Sequence, residues 1–595
     1  MSAIKELRRN PHARSALLAP VRQIGLKNLA RTLSKTLLRS RLKRPELGRQ
    51  FLLSYWETLG DQEAIIVDNE TLSFAEYRDR VLRLADSLHT LGLKPGDGFA
   101  ELLNNGTTWF EAMGAGTLTG IHMPMLNWHL KPDELVHCIN ISKARVLLFD
   151  LDYLQAIQQI KDQLPGVEHF IIVGAEQTPE GMLDYEELLQ QASPTLPAGK
   201  LDMAPKPFSG GTTGTPKFMN IDRDKLGSED SEDRRGASKE DIARLSIMQL
   251  TMLHWYRLGD VKDPISKNLR SLIPGPLYHA GVQLAVLPFF VGGTVVPMRK
   301  FSAESFLKHI QDHRINWTFV APTMLERVLA LPEEIQSKYD LSTMRSMICA
   351  AAPCPPKVKK DINALFRQQG NPGDVFYEYY AASETGFITL LVPEDYQEDP
   401  KRYQSVGKIR GCDCQIYDEE KKQWVKQGGE GKILVRTPMV YGLQYAGVSE
   451  QDMRKCFIEI EGQLWYDDGL IGYVDENQYL YLTSRVKEMI ISGGVNLFPN
   501  EIENTIKTHS AVLDVAVVRA PHKDLGEIPA AVIQLKPGES LLPEDIIKHC
   551  KDEGLYGFKI PKIVEFVEQL PRNLAGKLPK KELEAKYWQG VESHG

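Results

Sequence analysis

Apolar and polar positions follow two periods along the chain. Short apolar runs such as Ala64-Ile65-Ile66-Val67 and Val146-Leu147-Leu148-Phe149 read as buried strands, and they alternate with helical stretches such as residues 77–91. That alternation predicts an α/β protein of layered sheets covered by helices. From about residue 486 a smaller unit is predicted, with strands near residues 512–519 and 530–535 and a helix near residues 543–551. Ahead of all these elements lies one more helical pattern. On a helical wheel Leu26, Leu29, Ala30, Leu33 and Leu37 share one face, while Lys27, Arg31, Lys35 and Arg39 lie on the other. The expected organisation is a basic amphipathic arm over residues 1–48, a large domain over 49–485 and a small domain over 486–595. No internal repeat and no carrier domain after Lys577 is legible.

Composition narrows the class more than the function. At 595 residues the chain exceeds one hydrophobic core, and 42% hydrophobic with 25% charged residues is the balance of an ordinary globular protein. There is no uninterrupted apolar run of roughly 18 residues and no secretory h-region, so a cytoplasmic protein is expected. The seven cysteines are scattered, with Cys412-Asp413-Cys414 the one close pair, which disfavours both a disulfide frame and a zinc site. Charge is uneven. Residues 1–50 hold thirteen Lys/Arg against Glu6 and Glu46, a net of +11, which leaves −18 for the remainder of a chain whose total is −7. A basic amphipathic helix suits an anionic membrane surface, and peripheral contact through residues 1–45 is the sharper expectation. A solvated arm, a helix packed on its own enzyme and an organelle transit peptide are the alternatives. Nucleic acid is disfavoured, because the body is acidic and the arm lacks interleaved aromatics.

The richest chemistry sits at Ser209-Gly210-Gly211-Thr212-Thr213-Gly214-Thr215-Pro216-Lys217. Glycines let backbone N–H groups approach phosphate oxygens, hydroxyls add hydrogen bonds or reach a metal, and the lysine supplies a point charge. The ending Thr-Pro-Lys excludes the common strand-loop-helix NTPase pattern, which closes on Gly-Lys-Ser/Thr.

This string resembles the phosphate loop of the adenylate-forming superfamily, which includes acyl- and aryl-CoA synthetases, peptide-synthetase adenylation domains and luciferases. Other segments resemble that family's signatures in the same order. They are Pro276-Leu277-Tyr278-His279, Ala351-Ala352-Pro353, Tyr380-Ala381-Ala382-Ser383-Glu384, Gly429-Glu430-Gly431, Ser484-Arg485-Val486-Lys487-Glu488, Ser492-Gly493-Gly494-Val495-Asn496 running into Pro499-Asn500-Glu501-Ile502-Glu503, and Pro571-Arg572-Asn573-Leu574-Ala575-Gly576-Lys577. Together they span roughly residues 50–590.

The resemblance implies a fold and a division of labour. The large domain would hold two βα sheets and a small β-barrel and bind ATP and the acyl substrate; the small α+β domain would be mobile and carry the catalytic lysine, Lys577. Within the nucleotide site, Ser209, Gly210, Gly211, Thr212, Thr213, Gly214, Thr215 and Lys217 would hold phosphates. Ala352 and Pro353 would lie under the adenine, Tyr380 would stack on it, and Ser383, Arg485 and Asp468 would complete the set. Glu384 and Thr213 would hold Mg2+, and His279 would stand beside the carboxylate. Gly493 and Gly494 would line a thiol tunnel, with Lys487 as the hinge.

The implied reaction has two steps. A carboxylate attacks the α-phosphate of ATP to give an acyl-adenylate and pyrophosphate, and a thiol then displaces AMP. Coenzyme A is the expected thiol. Leu277-Tyr278-His279-Ala280 lacks the aspartate that pairs with an amino group in peptide-synthetase domains, and Asn127-Trp128-His129-Leu130 resembles bacterial acyl-CoA synthetases, so a medium- or long-chain fatty acid is expected. One departure bears on the nucleotide. Asp468-Gly469-Leu470 stands where the family has Thr-Gly-Asp, so Leu470 replaces the usual ribose-binding aspartate and Asp467 and Asp468 are the carboxylates nearby. An acyl-AMP ligase that loads a carrier protein and a catalytically degenerate acyl- or nucleotide-binding protein are the rival readings.

Overall fold

The structure is a computed structural model, which describes residues 10, 19–41, 43–209, 217–221, 251–258, 268–279, 281–382, 384–441, 443–446, 456–485, 488–492, 495–555, 557–572 and 578–589. The expectations for Gly210 to Thr215, residues 222–241, Ser383, Lys487, Gly493, Gly494 and Lys577 lie outside these residues.

A nine-stranded sheet forms the frame. Its middle strands run in the order Phe376–Ala382, Ser346–Cys349, Trp317–Val320, Arg270–Ile273, Thr294–Pro297 and Glu63–Val67. Every pairing among them is parallel. Antiparallel strands close both edges, Gly386–Leu391 with Lys408–Ile409 on one side and Glu70–Ser73 on the other. Parallel strands need crossovers, and helices such as Ala303–Asp312, Pro322–Leu329 and Pro356–Gln368 supply them. Burial follows the rule for parallel sheets: Trp317, Thr318, Ser346, Met347, Ile348 and Cys349 are all sealed from solvent.

A second parallel sheet is built from Gly98–Leu102, Ala144–Asp150, His169–Val173 and Leu183–Asp184. A third, antiparallel sheet contains Asp413–Asp418, Gly431–Arg436, Phe457–Ile460, Gln463–Val474 and Leu480–Arg485, and it stands where a small barrel was expected. The C-terminal unit has its own core around Ile490, Ile502, Val517, Ile533 and Ile546. Its central feature is the antiparallel pair Val512–His522 and Gly526–Leu535, joined by Ile563–Val567 in parallel. The fold is thus a mixed α/β one with a large and a small domain.

The N-terminal helix Ala19–Ser40 folds back on helix Arg44–Leu59, which itself packs Leu53, Tyr55, Trp56 and Leu59 into the main core. The wheel reading changes at one position. Leu29 turns toward that core, whereas Leu26, Leu33 and Leu37 remain exposed. No helix among the described residues is long and apolar enough to cross a membrane.

Candidate active site

Three of the sequence motifs begin where parallel strands of the main sheet end. The segment to His279 follows Arg270–Ile273, the turn Ala351-Ala352-Pro353 follows Ser346–Cys349, and Glu384 follows Phe376–Ala382. Because these strands run the same way and lie within four consecutive positions of the sheet, the motifs gather at one carboxyl edge. Ligands of open α/β sheets bind outside that edge.

Two of these turns are held by identifiable bonds. Ala351 takes φ 76°, a left-handed conformation uncommon for residues other than glycine and costly for β-branched ones. Three residues on, the Cys354 amide donates to Glu378 Oε1 at 2.9 Å. Glu378 is buried and forms an ion pair with the equally buried Lys359, whose Nζ also donates to the Ser405 carbonyl at 2.9 Å. Sequence reasoning missed this pair, because a lysine on a helix and a glutamate in a strand are ordinarily solvated. The signal available was the polar residue inside the apolar run Val375-Phe376-Tyr377-Glu378-Tyr379.

Beside His279, Trp128 packs edge-on against Tyr278 with ring centroids 4.6 Å apart. The structure therefore joins two segments, residues 127–130 and 276–279, that are far apart in sequence. The Tyr278 hydroxyl is buried with no hydrogen-bond partner among the described residues, and burial pushes its pKa up to about 12. His279 Nδ1 accepts from the Gly281 amide at 3.1 Å, which leaves Nε2 as the nitrogen that carries the proton in the neutral ring. A Cβ at position 281 would lie 2.8 Å from the Phe319 ring, so only glycine lets the turn close this tightly.

The two ends of the Gly/Thr loop are fixed in register. Ser209 pairs with Lys217 and Phe208 with Phe218, and Lys217–Ile221 then pairs with Leu443–Ala446. This last strand contributes a residue that no motif contains. Tyr445 lies opposite Met219, its ring centroid 5.9 Å from Lys217 Nζ, and its hydroxyl donates to the Glu384 carboxylate. Burial, then the Glu384 charge, pushes the Tyr445 phenol well above its ordinary value. Lys217 and Glu384 are thereby gathered around one aromatic side chain. Among the described residues no three His, Cys, Asp or Glu side chains cluster as metal ligands. A Mg2+ ion typically takes one or two protein carboxylates and fills its remaining positions with phosphate oxygens and water, and Glu384 is a donor of that type.

Asp468 also finds its partner across sheets. The Tyr380 hydroxyl donates to Asp468 Oδ2, and burial followed by the aspartate charge raises the tyrosine pKa. Leu470 is paired with Arg485 across adjacent strands and packs on the cluster of Ile388, Ile416 and Ile433. Asp467 is committed elsewhere, with Lys432 Nζ at 3.2 Å and the Gly469 amide at 2.8 Å.

The family described as AMP-binding enzyme matches residues 54–442, and its C-terminal domain matches residues 501–577. This chain belongs to the AMP-binding enzyme family. That places it in the adenylate-forming superfamily, as the motifs implied. The AMP-binding enzyme is 27% identical to a fatty acid–[acyl-carrier-protein] ligase, ScoC, of Streptomyces coeruleorubidus, over 88% of this chain and 93% of that protein. It is 26% identical to a putative acyl–CoA ligase, YdaB, of Bacillus subtilis, over 87% and 94%. The fold is similar to that of the amide bond synthetase McbA from Marinactinospora thermotolerans, with a TM-score of 0.73 and 23% identity over 91% of this chain and 99% of McbA.

Within this AMP-binding enzyme all seven cysteines are free thiols, five of them buried.

Proposed function

We propose that this enzyme activates a medium- or long-chain fatty acid with ATP and Mg2+ and transfers the acyl group to coenzyme A. The observation that carries the reading is the convergence of the His279, Ala351-Ala352-Pro353 and Glu384 segments at one carboxyl edge of the main sheet.

In the first step a carboxylate oxygen attacks the α-phosphorus, and the bond to the bridging oxygen breaks to release pyrophosphate. The loop from Ser209 to Lys217 holds the β- and γ-phosphates, Glu384 with Thr213 holds Mg2+, and Tyr445 fixes the carboxylate of Glu384. The ion, when bound, neutralises phosphate charge. Lys577 offsets the charge that builds between carboxylate and α-phosphate. Tyr380 stacks on the adenine above Ala352 and Pro353, with Ser383 and Arg485 beside it.

Asp468 takes the ribose, since its bond to the Tyr380 hydroxyl brings a carboxylate to the rim of the adenine platform. Leu470 serves the hydrophobic cluster instead. In the second step the thiol sulfur attacks the acyl carbon and AMP leaves. Gly493 and Gly494 line the thiol path, and Lys487 is the hinge about which the small domain turns between steps.

The acid is read as apolar because Trp128 packs on Tyr278, the neighbour of His279 in sequence, Phe319 lies close to Gly281, and no acidic side chain awaits an amino group in that segment. A peripheral contact of residues 1–45 with a membrane, in which such an acid dissolves, belongs to the same proposal. The likeness to a fatty acid–[acyl-carrier-protein] ligase favours a second acceptor, a carrier-protein phosphopantetheine. Incubating the enzyme with ATP, an acid series, and either free coenzyme A or a phosphopantetheinylated carrier separates the two by mass spectrometry. Acyl-CoA is the expected product; acyl-carrier alone replaces the first reading with the second.

A further inference from the structure

We propose that the outer face of helix Ala19–Ser40 is a docking surface for an anionic lipid bilayer, with Leu26, Leu33, Leu37 and Leu38 entering the headgroup region. This names the surface behind the membrane contact just proposed, and its test needs no acid, so it can fail while acid activation stands.

The helix is apolar on its outward side as well as its inward one. Inward, Ile24 and Leu29 meet the main core and Thr32, Thr36 and Ser40 are buried, with Thr32 Oγ1 2.8 Å from Thr58 Oγ1 of the neighbouring helix. Its outward side is leucine, with Leu26 74% exposed, Leu33 45%, Leu37 50% and Leu38 79%. These are four of the eight large hydrophobic residues exposed among the described residues, so half of that surface lies on one helix. At about 100° per residue, Leu26, Leu33 and Leu37 fall within about 40° of one another, and Leu38 lies about 100° further round between Lys27 and Arg31.

The basic residues divide into two sets. Lys35 and Arg39 are bound to Glu57 at 2.8 and 2.6 Å and so serve the helix pair rather than an outside partner. Lys27 and Arg31 are exposed on either side of Leu38 and make no ion pair among the described residues.

Charge then decides the occupant. A second copy pairing through the same stripe would bring Lys27 and Arg31 against their own counterparts, within a segment of net +11. An anionic bilayer offers phosphates to those cations and an apolar boundary to the leucines. The remainder of the chain, at net −18, is repelled by that surface, which leaves the helix as the part that touches it.

The test uses the full chain and sedimentation with vesicles of phosphatidylcholine alone or mixed with phosphatidylglycerol. Binding is expected only with phosphatidylglycerol, and it should weaken at least tenfold between about 0.1 M and about 1 M salt, as the Debye length falls from about 10 to about 3 Å. Leu33→Ser/Leu37→Ser should weaken binding roughly a hundredfold, about tenfold for each leucine. Lys27→Glu/Arg31→Glu should weaken it at least tenfold, with each lost cation worth roughly fivefold. Both pairs are exposed, and an unchanged thermal midpoint verifies that each variant is folded. Binding by Leu33→Ser/Leu37→Ser equal to that of the unaltered chain overturns the proposal. So does equal binding to neutral vesicles. A dimer in sedimentation velocity that the leucine substitutions dissociate, without vesicle binding, would assign the stripe to a second copy instead.

Discussion

Replacing Lys359 by methionine isolates the contribution of the buried pair beneath the Ala351-Ala352-Pro353 turn. The substitution keeps length and apolar bulk but removes the ammonium, leaving Glu378 with the Cys354 amide as its one remaining bond of those described. Both side chains of the pair are 2% exposed, so water cannot replace the lost partner. Breaking a buried pair of this kind costs about 3–5 kcal/mol, most of it the penalty of an uncompensated charge. Lys359→Met/Glu378→Gln removes that charge while retaining an acceptor for the Cys354 amide. The double variant should therefore lie within about 2 kcal/mol of the parent, a residue set mainly by the lost bond to the Ser405 carbonyl.

The pH dependence follows from the direction of the shift. Burial already pushes the Glu378 carboxyl above its ordinary value, against the opposing pull of Lys359, and removing the lysine pushes it further. A native state that holds a proton more tightly than the unfolded chain gains stability as pH falls through the raised native pKa toward the unfolded value of about 4.3. The deficit of Lys359→Met is thus largest near neutrality and shrinks on acidification. Urea denaturation at about pH 7 and about pH 5 reads both quantities. A single-variant deficit below about 1 kcal/mol, or one that does not change with pH, would refute the reasoning.

Three further outcomes are expected. Asp468→Asn should raise the KM for ATP at least tenfold with little change in kcat, because a ribose contact is made equally in ground and transition states; an unchanged KM removes Asp468 from the nucleotide site. Lys580, three residues past Lys577, bonds Glu503 at 2.7 Å and Glu488 at 3.1 Å, so Lys580→Met should slow adenylation about 10–100-fold by misplacing the lysine loop. Lys580→Arg should restore most of that rate, and failure to do so would count against a positioning role. Across the domains, Lys507 Nζ lies 3.3 Å from Glu326 and 3.1 Å from Asp514, which also holds Arg572. A double-mutant cycle of Glu326→Gln and Lys507→Met should give a coupling of about 0.5–1 kcal/mol in thermal stability, and additive effects would show that the contact carries no energy.

The sequence was most informative where structure is decided locally. The runs at residues 64–67 and 146–149 lie inside strands Glu63–Val67 and Ala144–Asp150, because continuous apolar residues in a parallel sheet are buried on both faces. The helix at 77–91 starts earlier, at Phe74, since Ser73 and Glu76 form a capping box ahead of the apolar period. The C-terminal strands proved longer than expected, reaching His522 and beginning at Gly526. Pro521 and Pro529 lie within the paired register.

Site chemistry divided the same way. Motifs at strand ends are contiguous strings and were legible as such. Tyr445 was not, because it reaches Glu384 and Lys217 only through the pairing of Leu443–Ala446 with Lys217–Ile221. The replacement at Leu470 was visible, but which of Asp467 and Asp468 reaches Tyr380 depends on a bond between two sheets that no spacing encodes.

The central claim is that this protein forms an acyl-adenylate. Exchange of labelled pyrophosphate into ATP, measured over a panel of carboxylic acids without any thiol, tests it most directly because the first step alone is read. Exchange should appear with medium- or long-chain fatty acids, be absent without an acid, and nearly vanish in Lys577→Ala. No exchange with any acid, or exchange undiminished by that substitution, would contradict the account.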